Sequence, residues 1–386
     1  MTLEDFRTFE NGRELRAGYT TGTCAAAAAK ASLSMLLTGE PVEAVTVTLP
    51  AGPVLTLETE EVRMERDFCS AAVRKDAGDD PDVTDGILIH VKAELVPGPA
   101  GVEILGGRGI GRVTRPGLDQ PVGKAAINRV PREMIRQGAE EVLKAAGISS
   151  RVRFTVSAPE GEALAEKTFN PRLGITGGIS ILGTSGVVKP MSRSALIETV
   201  RVDMRVHAAE GRPVLAVPGN YGLAFLSRTY GIPEADPVIM SNYVGEAVDA
   251  ACASGARGLV LAGHLGKFVK LAGGIMNTHS READCRMELL AAHALRCGAS
   301  REVLLGVLGA ATTEEAADLI IGAGLKEAVF ASVLAAAEQS IARRSGGKVE
   351  TAIIIYTLQH GVLAESGNAR RLIEAYKGGG SSWERS

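Results

Sequence analysis

The second half of the chain alternates short, continuously apolar runs with helical patterns, and this alternation constrains its fold more than any other feature. Strands that are apolar on both faces are typical of a parallel sheet covered on both sides by helices. The predicted strands are 178–182, 214–217, 237–240, 258–262, 303–308 and 351–356, and the predicted helices are 220–229, 243–254, 282–297, 313–321 and 325–344.

The first half of the chain carries patterns of antiparallel strands instead. Apolar and polar residues alternate on both sides of Ala51-Gly52-Pro53, which predicts a hairpin turn at that point. An alanine-rich run predicts a helix from about Gly22 to Leu37, because no helix-breaking residue interrupts it before Gly39. The other predicted elements are strands at 87–95, 102–105 and 151–159 and a helix at 131–146.

These two patterns predict two domains, as does the length of 386 residues. The pattern changes near residues 158–170. We therefore expect a mixed α+β domain over residues 1–160 and a Rossmann-like α/β domain with a mostly parallel sheet over 161–376. The Gly- and Ser-rich end, residues 377–386, is predicted to be a flexible tail.

Composition and charge exclude several classes of function. The net charge is −3 and aromatic residues make up 4% of the chain, so neither a basic field nor stacking platforms for nucleic acid are expected. No apolar run approaches the roughly 18 residues of a membrane span, and the N-terminus lacks the apolar core of a signal peptide. Five widely spaced cysteines without a CxxC pair indicate reduced thiols. We therefore expect a cytoplasmic protein that binds neither nucleic acid nor membranes.

Three apolar runs end in a G-x-x-G turn, at 179–186, 214–222 and 259–266. In an open α/β sheet, ligands bind beyond the carboxyl ends of the strands, where glycine lets backbone N–H groups approach them. One such turn more often marks a tight connection from strand to helix, but three in one domain favour a nucleotide-like cofactor. The predicted cofactor-binding residues are Gly183, Thr184, Ser185, Gly219, Asn220, Gly263 and Gly266.

The usual nucleotide-binding fingerprints do not occur. Leu261 and Phe268 replace the first glycine and the Ser or Thr of a P-loop around Gly266, and Arg112 breaks a G-x-G-x-x-G spacing that begins at Gly107. ATP hydrolysis by a P-loop and standard dinucleotide binding are therefore disfavoured.

Residues 263–295 intersperse polar side chains with glycines, a composition typical of binding loops. Because its histidines and Asp284 lack the short-spaced pair of a zinc site, we expect no protein-bound metal. The predicted catalytic residues are His264, Lys267 and His279, and the predicted substrate contacts of this segment are Asn277, Thr278 and Ser280.

A second concentration of charge lies at residues 106–137, where seven basic residues accompany two acidic ones. Arginine forks suit carboxylates and phosphates, so this stretch predicts a cradle for a polyanionic small molecule, with a solvated basic face as the alternative. The acidic turn at 75–86 is predicted either to bind a cation or to cap helices. The predicted substrate-binding residues of the basic stretch are Arg108, Arg112 and Arg115.

Thr20, Thr21 and Thr23 stand at the start of the alanine-rich helix and are predicted to bind substrate, because a helix N-terminus attracts anions. Cys24 follows them without a neighbouring histidine. It is therefore not expected to act as a nucleophile.

Several segments carry long and distinctive motifs: LRAGYTTGTCAAAAAKAS (15–32), SAAVRKDAGDDPDVTDG (70–86), GRGIGRVTRPGL (107–118), GITGGISILGTSGVVKPMS (174–192) and AGGIMNTHSREADCRME (272–288). Together, over residues 15–375, they resemble the CbiD family of the anaerobic cobalamin pathway, the cobalt-precorrin-5B C1-methyltransferases.

This resemblance implies an enzyme that transfers a methyl group from S-adenosylmethionine to C1 of a cobalt-containing corrinoid, giving cobalt-precorrin-6A. It implies that the cobalt arrives with the substrate and that the basic stretch faces the acetate and propionate groups of the macrocycle. Two alternatives are a non-catalytic corrinoid carrier and an acyl or amide transferase that uses the Thr20–Cys24 segment. A homo-oligomer is compatible with the sequence.

Overall fold

Two units share the chain in the computed structural model, Met1–Arg193 (unit 1) and Ser194–Ser386 (unit 2). The structure describes residues 2–10 and 12–378. The boundary between the units follows Arg193, whereas the sequence predicted it at 160/161. The predicted tail at 377–386 lies outside the described residues from position 379 onward.

Unit 1 contains short strands and three α-helices within its described residues, with a 3-10 turn at Leu3–Phe6. Its helices are α1 (Thr21–Thr38), α2 (Arg129–Ala146) and α3 (Gly161–Ala165). Its strands are β1 (Thr8–Glu10), β2 (Arg13–Leu15), β3 (Gly18–Tyr19), β4 (Ala44–Thr48), β5 (Val54–Glu58), β6 (Glu60–Met64), β7 (Phe68–Arg74), β8 (Leu88–Val96), β9 (Gly101–Gly106), β10 (Arg112–Val113), β11 (Arg151–Ser157), β12 (Ile175–Thr176) and β13 (Val187–Val188).

The main sheet of unit 1 has the strand order β6-β7-β8-β11-β9, and its neighbours are antiparallel except for β11 and β9. Helix α1 packs against β7, β8 and α2. Its alanines at 25–29 are at most 2% exposed, because small side chains let a helix be enclosed on nearly all sides. The hairpin predicted around Ala51-Gly52-Pro53 is confirmed as the pair β4 and β5.

A glycine-rich layer completes unit 1. The run 178–182 was predicted as a strand of the parallel sheet, and this prediction is wrong. Instead, Ile179 and Ile181 form isolated bridges with Ile110 and Ile127 of unit 1. These pairings tie the run to the first unit and explain why the boundary lies so much later than predicted.

Unit 2 begins with helix α4 (Arg193–Ala208), which starts at the boundary itself. Its strands are β14 (Val214–Val217), β15 (Val238–Ile239), β16 (Gly258–His264), β17 (Glu350–Thr357) and β18 (Gly361–Glu365). Its further helices are α5 (Asn220–Tyr230), α6 (Val244–Ala253), α7 (Leu265–Ala272), α8 (Arg286–Arg296), α9 (Arg301–Gly309), α10 (Thr313–Gly322), α11 (Lys326–Ser345) and α12 (Ala369–Lys377).

The sheet of unit 2 has the strand order β15-β14-β16-β17-β18. The first four strands are parallel, and β18 runs antiparallel to β17. One apolar core joins one face of the sheet to α5 and α12, and a second joins the other face to α6, α7 and α11. The predicted doubly covered, mostly parallel sheet is thus confirmed.

The run 303–308 was predicted as a strand and instead forms helix α9. The Ser300 side chain accepts a hydrogen bond from the Val303 N–H at 3.3 Å and caps the start of this helix. A short apolar run does not distinguish a strand from a buried helix, and the cap decides here. No helix of the described residues is long and apolar enough to cross a membrane.

Candidate functional site

The strand order of unit 2 creates a topological switch point, at which a ligand crevice is expected at the carboxyl end of the sheet. From β14 the chain crosses to β15 on one side, and it then returns to β16 on the other side of β14. Helices α5 and α7, which follow β14 and β16, therefore lie on opposite faces of the sheet. Ligands of doubly wound sheets bind at such a switch point. This candidate crevice is bounded by the turns after β14 and β16.

The turn after β14 presents an open backbone. Gly219 caps helix α5 with φ of 168°, and a Cβ built on it would meet no atom within 4 Å. Asn220 is exposed, and Tyr221 is 71% exposed. Gly219 and Asn220, which the sequence predicts to bind cofactor, thus border the candidate crevice.

The turn after β16 is held by His264. The Gly266 N–H donates to Nδ1 of His264 at 3.1 Å, and Nε2 contacts Glu314 Oε1 at 2.9 Å. Because Nδ1 accepts, Nε2 carries the proton and donates it to the carboxylate. Both ring nitrogens are therefore engaged, and His264 offers no lone pair to a reacting group.

Glu314 is the acidic partner of this arrangement. Burial by itself raises the pKa of Glu314, but hydrogen bonds from His264 and the Leu358 N–H outweigh burial, so the pKa is lowered. Gly263, predicted to bind cofactor, instead packs on the Phe268 ring, which lies 2.1 Å from a Cβ built at that position. Gly266 lies at the first turn of α7, where its N–H is already used by His264.

Lys267 belongs to a polar cluster between α7 and the segment that follows β15. Its Nζ donates to Asn242 Oδ1 at 2.6 Å, and the Thr278 Oγ1 donates to the same oxygen at 3.3 Å. The Thr278 N–H donates to the Asn242 carbonyl at 2.9 Å, and Asn277 bridges to Tyr243. Sequence reasoning missed Asn242, although its place directly after a predicted strand was a usable signal.

His279 and Ser280 are exposed beyond this cluster. The Arg281 N–H donates to Nδ1 of His279 at 3.1 Å, so Nε2 carries the proton and points a donor outward. Within the described residues, no group of three or more His, Cys, Asp or Glu side chains is arranged to hold a metal ion.

The third glycine turn, Gly183–Ser185, lies in unit 1. The prediction that all three turns share the second domain is therefore wrong. Gly183 has φ of +133°, and a Cβ there would lie 2.3 Å from the Thr20 Oγ1. Thr184 is exposed, and Ser185 Oγ donates to the Val187 carbonyl at 3.0 Å.

The predicted anion site at the start of α1 is filled by this turn. The Thr20 N–H and the Thr23 hydroxyl both donate to the Gly186 carbonyl, at 3.1 and 2.8 Å. Thr21 Oγ1 accepts from the Leu182 N–H at 3.0 Å. All three threonines are at most 6% exposed, so they join two segments of unit 1.

Cys24 lies one position further on and is fully buried. Burial raises the pKa of Cys24 to about 12. A thiolate is therefore not accessible near neutral pH, which agrees with the expectation that Cys24 is not a nucleophile.

The basic stretch forms a loop over residues 112–125, closed by a bridge between Arg112 and Ala125. Arg112 is exposed and donates one hydrogen bond, to the Gly123 carbonyl at 3.2 Å. Arg108 is exposed and lies 3.7 Å from Glu162. Arg115 is half-buried and donates to the Arg172 carbonyl at 2.8 Å, so it stabilises the neighbouring segment of unit 1 that contains Arg172.

The acidic turn at 75–86 is occupied by its own chain. Arg16 donates to both oxygens of Asp76, at 2.6 and 2.8 Å, and its N–H donates to Asp79 at 2.6 Å. The buried Lys75 donates to Asp82 at 2.7 Å. These carboxylates fasten segments of unit 1 and are not gathered around a cation site.

Fold and geometry together define a two-unit protein with an α+β unit and a doubly wound α/β unit that carries a ligand-type crevice. The family model described as CbiD matches residues 8–190, and the one described as CbiD, C-terminal domain, matches 277–367. The chain belongs to the CbiD family.

Its curated relatives carry the name cobalt-precorrin-5B C(1)-methyltransferase. One from Ruminiclostridium cellulolyticum is 45% identical over 92% of both chains. Another from Alkaliphilus metalliredigens is 42% identical over 96% of this chain and 97% of the relative. A crystal structure of the cobalamin biosynthesis protein cbiD from Archaeoglobus fulgidus is 28% identical, covers 73% of this chain and 88% of its own, and superposes with a TM-score of 0.38.

Proposed function

We propose that this chain methylates C1 of cobalt-precorrin-5B, with S-adenosylmethionine as the donor. The observation that carries the proposal is the 45% identity, over 92% of both chains, to a relative of that name. The open turn at Gly219 and the polar cluster around Lys267 suit a donor that contains both a nucleoside and an amino acid. We assign the donor to the crevice of unit 2.

When bound, S-adenosylmethionine supplies a methyl group activated on a sulfonium, whose S–CH3 electrons return to sulfur as the bond to C1 forms. The electron-rich macrocycle provides the electron pair of the new bond, and S-adenosylhomocysteine leaves with the former S–CH3 pair. The proton that the methylated macrocycle then gives up goes to solvent. The reaction therefore needs no strong base. This agrees with the engaged nitrogens of His264 and the outward N–H of His279.

The chain's own contribution is then positioning. Aligning two reactants and excluding water contributes up to about 7–11 kcal/mol to lowering a barrier. We propose that the exposed Arg112 and Arg108 of unit 1 hold carboxylates at the edge of the macrocycle, since charge-assisted pairs fix orientation. The cobalt belongs to the substrate.

Gly219→Leu is expected to weaken binding of S-adenosylhomocysteine by more than about 100-fold, because its side chain would fill the crevice. The fold should be unaffected, since φ of 168° is extended backbone and no atom lies within 4 Å of the new Cβ. Calorimetric titration and thermal denaturation measure the two effects. Gly322→Leu, at another open glycine of unit 2, is the matched control. Unchanged affinity in Gly219→Leu would remove the donor from this crevice.

Arg112→Ala is expected to weaken corrinoid binding by roughly one to two decades, because one charge-assisted hydrogen bond is worth about 1.5–3 kcal/mol. Corrinoid affinity should also fall with added salt, while affinity for S-adenosylhomocysteine should not change. Titration of both ligands checks this, with Arg201→Ala on α4 as a control that removes another exposed arginine.

A loss of donor affinity alone in Arg112→Ala would contradict the division of roles between the units. The same titrations separate the rival functions. A carrier would bind the corrinoid and ignore S-adenosylhomocysteine, and an acyl transferase would require the thiol of the buried Cys24.

A further inference from the structure

The polar cluster beside the crevice leaves hydrogen-bond donors free on Asn242. Its Oδ1 accepts from Lys267 Nζ at 2.6 Å and from Thr278 Oγ1 at 3.3 Å. The amide nitrogen Nδ2 is therefore directed away from both donors. Within the described part of the chain, Nδ2 has no hydrogen-bond partner, so its two N–H groups remain available to a ligand or to solvent.

Lys267 carries a positive charge that no carboxylate of the described residues neutralises within 4.0 Å. Its ammonium has three N–H groups, and one of them is used by Asn242. Burial and the neighbouring Lys270 lower the pKa of Lys267. A half-buried, uncompensated cation is costly and is stabilised by an anion that arrives from outside.

Lys270 does not share this property, although it lies one helical turn away. Its Nζ donates to the Thr278 carbonyl at 3.1 Å and to the Ala283 carbonyl at 2.8 Å. Lys270 is 2% exposed, so it is not accessible to a ligand, and two of its three N–H groups are bonded within the fold. Lys270 holds the loop, and Lys267 is the cation that remains available.

We infer that Lys267 Nζ and Asn242 Nδ2 bind the carboxylate of the methyl donor's amino-acid part. The inference rests on the proposed function, because the carboxylate is the one anionic group of S-adenosylmethionine. Lys267 is then a binding residue and not the catalytic residue that the sequence predicted. Asn242 lies outside the motifs from which the binding residues were predicted.

Two ligands separate this role from a structural one. S-adenosylhomocysteine carries the amino-acid carboxylate, whereas 5′-methylthioadenosine retains the nucleoside and the thioether but lacks the amino acid. Lys267→Met is expected to weaken S-adenosylhomocysteine by about 10- to 100-fold and to leave 5′-methylthioadenosine within about twofold. Lys377→Met, an exposed lysine on α12, should change neither affinity.

Asn242→Asp provides a second variant that preserves the cluster. One carboxylate oxygen still accepts from Lys267, but the other replaces the amide N–H groups and repels a ligand carboxylate. This variant should lose at least as much affinity for S-adenosylhomocysteine as Lys267→Met, with a melting temperature no lower than that of the wild type and an unchanged affinity for 5′-methylthioadenosine.

The outcomes are distinguishable. If both variants weaken the two ligands equally, or if neither variant weakens S-adenosylhomocysteine, the carboxylate assignment is wrong. The Gly219→Leu titration then decides separately whether the donor binds in the crevice. If the wild-type chain binds neither ligand, the donor proposal itself fails.

Discussion

Asp82→Asn is expected to destabilise unit 1 by about 3–5 kcal/mol, because it removes the charge that compensates a buried ammonium. Lys75 is 3% exposed, and its Nζ lies 2.7 Å from Asp82 Oδ2. Asparagine keeps the shape and the Oδ1 that accepts from Thr84, so the loss reports the charge and the hydrogen bond that Oδ2 of Asp82 provides to Lys75. Denaturation of the full chain measures the loss in the free energy of unfolding, and hydrogen exchange of the β7 and β8 amides assigns that loss to unit 1.

Adding Lys75→Met to Asp82→Asn should recover much of this loss, since no buried charge then remains unpaired. Glu133→Ala, which breaks the exposed pair of Arg129 and Glu133, should cost less than about 1 kcal/mol. An equal cost for the two single variants would show that burial of Lys75 is not what makes the pair matter.

The same pair predicts a dependence on pH. Burial by itself raises the pKa of Asp82, but Lys75 and the hydrogen bonds from Lys75 and Thr84 outweigh burial and lower the pKa. A lowered folded-state pKa contributes stability that is present above the unfolded pKa and lost as pH falls through the folded one. In Asp82→Asn, the free energy of unfolding should therefore fall less steeply than in the wild type as the pH is lowered through the acidic range.

Gly109→Ala is expected to destabilise unit 1 by more than about 4 kcal/mol, and to prevent folding if unit 1 is less stable than that. Gly109 has φ of +75°, and a Cβ there would lie 1.7 Å from the Ala158 carbonyl oxygen. The neighbour is backbone, which cannot rotate aside. Soluble yield and thermal denaturation of the full chain measure the effect.

Gly123→Ala is the matched control for this prediction. Gly123 has φ of +85° on the loop at 112–125, but a Cβ there would meet no atom within 4 Å. It should cost only about 1–2 kcal/mol, the penalty of a left-handed conformation alone. Similar losses at both positions would mean that the close backbone approach at Gly109 contributes nothing.

Local patterns were sufficient for most elements of the fold. The hairpin around Gly52, helix α1 and the alternation of strands and helices in unit 2 were predicted because periodicity and breakers act within a few residues. The strand prediction for residues 303–308 is wrong because a short apolar stretch fits a buried strand and a buried helix equally well. Its N-cap, Ser300, was the local signal that could have corrected the prediction.

The candidate sites could not be predicted from local patterns alone. The residue types predicted for binding are present in the sequence, but three turns that share the G-x-x-G spacing have different surroundings in the structure. The turn at Gly219 opens onto the crevice, the turn at Gly183 packs against Thr20, and Gly263 packs on Phe268. The G-x-x-G spacing alone does not distinguish them. The contact of Gly183 comes from Thr20, a segment distant in the chain, and that of Gly263 comes from a side chain beyond the turn.

The sequence by itself determined the element types, the presence of two architectures and the family, since these depend on periodicity and on long local motifs. Only the tertiary structure decided which donors are free. The hydrogen-bond donors of His264 and of the threonines at the start of α1 are bonded to partners distant in the chain, such as Glu314 and the Gly186 carbonyl. Lys267 and Asn242 retain donors because strand order brings them together beside the crevice. Whether the hydrogen-bond donors of a side chain are available depends on the residues that pack against it in the folded chain. Those residues cannot be read from the local sequence around the side chain.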